Sequence, residues 1–76
     1  MNKARRKQLS EIQEKLSELK DMIETVLDEE QEAFDNMPEG LQESERGEAM
    51  QSAIDAMESA MQSCEEAEDF IKEAQQ

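Results

Sequence analysis

Apolar residues recur at alternating intervals of three and four from Leu9 to Met37. They are Leu9, Ile12, Leu16, Leu19, Ile23, Val26, Ala33 and Met37, with Glu30 filling the single gap. That spacing is a heptad a/d seam, and no Gly or Pro interrupts it before Pro38. A strand would alternate with period two, so this stretch can only be a long amphipathic helix. Leu27 and Phe34 widen the seam on one flank and Met22 on the other.

The second half repeats the pattern at Met50, Ala53, Met57, Ala60, Cys64, Ala67, Ile71 and Ala74. All four of its d positions are Ala, with Ile54 and Met61 adding bulk beside them. A small-residue column lets a second helix approach closely, so a bulky seam and a small seam complement each other. Between the halves stands Asn36-Met37-Pro38-Glu39-Gly40. Proline disfavours helix at the residue before it, which ends the first helix near Asp35 or Asn36. Asn36 followed by Glu39 reads as a capping box for a short turn through Leu41. Ser44 reads as the N-cap of the second helix, with Glu45 and Glu48 at its positive end. The expectation is an all-α, antiparallel two-helix hairpin in one domain spanning 1–76. Its parts are a helix at about 3–36, a linker at about 37–44 and a helix at about 45–75. The stripes are wider than one neighbour needs, so the hairpin is expected to pair into a dimeric four-helix bundle.

Charge sets the function class. The chain holds 21 acidic and 8 basic residues, a formal net charge of −13. Direct binding of nucleic acid is excluded on that balance, because phosphate contacts need Lys and Arg in excess. The first seven residues carry Lys3, Arg5, Arg6 and Lys7 and no acid. In an antiparallel hairpin this arm is expected to lie near Glu65, Glu66, Glu68, Asp69 and Glu73. From Asp21 onward there are 18 acids and two bases. A merely solvated helix face interleaves Lys or Arg one turn from its Glu, and this chain does not. Glu11, Glu14, Glu18, Asp21, Asp28, Glu32 and Asp35 occupy c and f positions opposite the seam. Carboxylates one turn apart are about 5–6 Å from each other, close to the roughly 6–7 Å between adjacent phosphates of a nucleic-acid strand. The loop-proximal group Asp28, Glu29, Glu32, Asp35, Glu39 and Glu43 is therefore the candidate partner-binding site, with Phe34 as a candidate apolar anchor.

Other chemistry lacks its parts. With no His, Trp or Tyr and one cysteine, nucleophile–base and zinc arrangements are incomplete. Aligning Asp35 as the first position of a calcium loop puts Gly40 at the sixth. Met37 then fails at the third and Arg46 at the twelfth. No enzyme activity, cofactor or metal is expected, and Cys64 at an a position reads as a small core residue. A lone cysteine makes no internal disulfide, and no apolar run approaches the ~18 residues of a membrane span. The basic start MNKARRKQLSEIQEK lacks the apolar stretch of a secretory leader. These features predict a soluble cytoplasmic protein with no membrane partner.

The run from Glu30 to Glu48, EQEAFDNMPEGLQESERGE, resembles a segment of small acidic α-helical proteins of bacteriophages and prophages. That family has no assigned activity, so it transfers no functional residue. In size and charge the chain is also similar to phage-encoded anti-defence proteins, including DNA mimics that block restriction or CRISPR machinery, although it keeps a basic N-terminal arm. The resemblance implies an inhibitor working in the host cytoplasm, occupying the basic surface of a nucleic-acid-binding host enzyme. The other reading is a structural or scaffold module whose acidity serves solubility.

Overall fold

The computed structural model describes every residue from Met1 to Gln76 and contains only helices. Helix α1 spans Lys3–Asp35, α2 is a single turn at Glu39–Gln42, and α3 spans Glu45–Ala74. Asn2 starts α1: its side-chain Oδ1 accepts the Arg5 backbone N–H at 2.8 Å. At the other end Asn36 closes the helix, its N–H reaching the carbonyls of Glu32 and Phe34. Pro38 then holds an extended ψ of 146° and offers its carbonyl to the N–H groups of Leu41 and Gln42. The capping box expected at Asn36 and Glu39 is not formed. Pro38 stands at the start of α2 without a side-chain cap, and Asn36 is spent on α1. Ser44 does cap α3, its Oγ accepting from the Gly47 N–H at 3.4 Å, with Glu45 and Glu48 in the first turn.

Helices α1 and α3 pack along each other in a rod 58 Å long and only 15 by 12 Å across. Which faces meet differs from the a/d expectation. On α1 the half-buried residues include Leu16, Lys20, Ile23, Leu27 and Phe34, whereas Ile12, Leu19 and Val26 are 45, 50 and 53% exposed. On α3 Ile54 is the one buried apolar residue, at 1% exposure, with Met50, Met57, Met61, Cys64 and Ile71 half-buried around it. The seam inside the hairpin is thus built from a and e positions. The reason is bulk. Ile54, Met61, Leu27 and Phe34 all stand at e, while the d column of α3 is alanine and offers little area to cover. With a single neighbour to pack on, α3 turns its bulkier flank inward, and α1 meets it with its own e column while Ile12, Leu19 and Val26 at d stay exposed.

The register is staggered. Gln75 at the end of α3 donates to the Gln13 side chain at 2.9 Å, not to the start of α1. Residues 3–12 therefore run about 15 Å past the end of α3 at 1.5 Å per residue. At the opposite end α3 outruns α1, and the loop fills the step. Gln42 Nε2 donates to the carbonyls of Phe34 at 3.0 Å and Met37 at 3.2 Å, satisfying acceptors that the end of α1 leaves free. Gly47 is buried against this turn. No glycine has positive φ; Gly47 is required by closeness, since a Cβ there would lie 2.0 Å from the Gln42 carbonyl oxygen.

Candidate interaction surfaces

Three faces run side by side around α1. The a and e positions face α3. The c and f positions carry Asp28, Glu32 and Asp35, all exposed. Only the Asp35 carboxylate has a side-chain partner, accepting from Gln31 Nε2 at 3.0 Å. Glu39 and Glu43, at the two ends of α2, are also exposed, as is Glu29. None of these carboxylates is paired with a cation, for the molecule's ion pairs all belong to Lys20. Phe34 is half-buried in the seam and gives its carbonyl to Gln42, so its ring is partly used by the fold itself.

The third face is apolar and open. Leu19, Met22, Ile23 and Val26 of α1 and Ala56, Met57 and Ala60 of α3 line a groove of about 430 Å³ with no polar side chain in it. Met22 is 64% exposed there. The groove exists because the a/e seam leaves the d residues of α1 outside while the alanines of α3 form a shallow floor. The sequence signal for it was the excess width of the apolar stripe; its position depends on which flank packs inward.

Lys20 is the one cation bridging the helices. It reaches Glu65 at 3.4 Å and Glu68 at 3.9 Å. The hydrogen bond to Glu65 raises its pKa above the ordinary lysine value; burial opposes the rise, and the charges of Glu65, Glu68 and Asp21 add to it. The basic arm is placed differently from expectation. Lys3, Arg5, Arg6 and Lys7 are exposed and make no ion pair. The stagger carries them beyond the level of Glu65 to Glu73, so the end of α3 is not neutralised by them. Both ends of the rod keep uncompensated charge of opposite sign.

The Asp35–Arg46 stretch considered as a calcium loop is instead the α1 terminus, the α2 turn and the Ser44 cap. Cys64 is free and half-buried in the seam. No helix is long and apolar enough to cross a membrane. Comparison with family models, with curated proteins and with solved structures finds no match for the chain.

Proposed function

We propose that the protein is a non-catalytic interaction module that works as a dimeric four-helix bundle and offers the acidic face of α1 to a basic, nucleic-acid-binding surface. The observation carrying this reading is the separation of faces. Asp28, Glu32 and Asp35 point away from the seam, are exposed and lack cations. The apolar groove lies on a different side, so pairing through it leaves the carboxylates free. A row of carboxylates at helical spacing presents charge at roughly phosphate intervals. Complementary potential then draws in a surface built to hold a nucleic-acid strand. The similarity in size and charge to phage-encoded anti-defence proteins makes a host defence enzyme in the cytoplasm the expected target, with the protein as its inhibitor.

The test is capture from bacterial lysate with and without duplex DNA as competitor. A nucleic-acid-binding enzyme that DNA displaces, and that the Asp28→Lys, Glu32→Lys, Asp35→Lys triple variant fails to retain, supports charge mimicry. The exposed groove favours a second reading, an assembly or scaffold module that docks through apolar contacts. Retention of particle components, indifferent to DNA and abolished at Met22 rather than at the acids, establishes that reading instead.

A further inference from the structure

Where the groove sits along the rod specifies how a second copy docks. Measured from Lys3 at 1.5 Å per residue, its centre between Met22 and Ile23 lies about 29 Å along the axis. The rod is 58 Å long, so the α1 wall of the groove is centred near its midpoint. A two-fold axis through that point, perpendicular to the rod, overlays two hairpins along their full length. Their ends then exchange: the arm of one copy comes level with the loop and the start of α3 in the other. Apart from the outward row of Asp28, Glu32 and Asp35, that end holds Glu29, Glu30, Glu39, Glu43, Glu45 and Glu48 against one base, Arg46. The arm holds Lys3, Arg5, Arg6 and Lys7, overhangs its own α3 and has no ion pair.

We propose that a second copy of this chain occupies the groove in antiparallel orientation, and that each basic arm lies along the acidic loop end of the other copy. The proposal rests on the dimer reading above and adds its orientation and the role of the arm. Parallel pairing would set arm beside arm and acids beside acids, which costs repulsion at both ends. Antiparallel pairing relieves both at once, and gives the arm's overhang something to cover. Leu41, 51% exposed at the loop end, meets the arm there, and Ile12 extends the apolar strip from the groove toward it. The area suffices. A face 58 Å long and up to 15 Å wide is close to the roughly 800 Å² per partner of a stable complex.

The experiment uses full-length chain carrying Cys64→Ser, with a single new cysteine at Arg6→Cys in one preparation and Glu43→Cys in another. Sedimentation at micromolar concentration gives the oligomeric state, and mild oxidation reports which ends meet. The expected result is a dimer in which the two preparations cross-link when mixed and neither cross-links alone. A dimer in which Arg6→Cys cross-links to itself, or in which the mixture yields no bridge, overturns the antiparallel arrangement and leaves self-association standing. A strict monomer overturns both. In the otherwise unaltered chain, Arg5→Glu with Arg6→Glu is expected to raise the dimer dissociation constant about tenfold or more at low salt, with the difference shrinking as salt screens it. Both side chains are exposed on the overhang, so helix content is expected to stay unchanged. An unaltered dissociation constant overturns the arm's role.

Discussion

Replacing Gly47 with alanine isolates what holds the loop end together. A Cβ there would lie 2.0 Å from the Gln42 carbonyl oxygen, 2.5 Å from its carbon and 2.7 Å from its Cα. All three are backbone atoms, so no side-chain rotation relieves the overlap. Ordinary contact begins near 3.4 Å, so the α2 turn must retreat by about 1.4 Å. That retreat pulls on the Ser44 cap, which receives the Gly47 N–H, and on the two hydrogen bonds from Gln42 to the end of α1. Overpacking of this kind costs about 1–3 kcal/mol, and loss of a cap adds about 1. Alanine's better helix propensity returns at most about 1 kcal/mol.

The net expectation is a loss of about 1–3 kcal/mol, a fall in Tm of roughly 4–24 °C for a domain of this size. Gly40 supplies the control. It has negative φ and nothing within 4 Å of an added Cβ. Gly40→Ala is therefore expected to stabilise by about 0.5–1 kcal/mol, mostly by restricting the unfolded chain. Thermal melts followed by circular dichroism at one fixed protein concentration measure both, since association shifts Tm by mass action. The same substitution seven residues apart should change sign. A neutral or stabilising Gly47→Ala refutes the close approach of α2 and α3.

Met22→Glu is expected to shift the protein to monomer in sedimentation while the hairpin keeps its helicity, because Met22 is mostly exposed within one chain and covered only by a partner. At protein concentrations low enough to leave the chain unpaired, added salt is expected to raise Tm, since screening relieves a net charge of −13 more than it weakens the few Lys20 ion pairs. Lys20 has a pKa above the ordinary lysine value, so its stabilisation is complete below the unfolded-state pKa and lost only as pH rises through the higher folded value. Alkaline melts of the unaltered chain should therefore converge on those of Lys20→Gln only in that strongly basic range. The Asp28→Lys, Glu32→Lys, Asp35→Lys variant is expected to lose partner binding yet keep or gain about 1 kcal/mol of stability in thermal melts, because cations suit the end of α1.

The helices and their ends were legible because their causes are local. An uninterrupted heptad, Pro38 and the Ser44 hydroxyl act within a turn or two of where they stand. What was not legible depends on the partner surface. Whether a helix buries its a/d or a/e flank is decided by how much bulk the other helix presents, and Ile54 and Met61 against an alanine column tip that choice. The stagger is set by the step that α2, Gln42 and Gly47 build between the long helices. It displaced the basic arm from the acids of α3, and no pattern within the arm could show that. Asn2 was legible in principle, as an N-cap residue directly before the first helical turn. The candidate acids stand exposed and uncompensated; Phe34 is the one named residue that the fold partly consumes.

The placement of charge along α1 follows from the division of its surface. Bases crowd its positive end and acids its negative end, with no acid in the first turn and no base in the last, so both placements oppose the helix dipole. Most of these residues lie off the a/e seam, Glu30 at an a position being the half-buried exception, so an isolated hairpin gains little from their placement. In the proposed antiparallel pair the positive arm would meet the negative loop end of the second copy, and the unfavourable terms within each helix would be offset across that interface. The c/f carboxylates of Asp28 and Glu32 lie opposite the a/e seam and outside the groove, so in that proposed pair they would keep their charge for a third surface. If both proposals hold, the acidity is separable: variants at Glu39 and Glu43 should weaken the pair, and variants at Asp28 and Glu32 should weaken only capture of the basic partner.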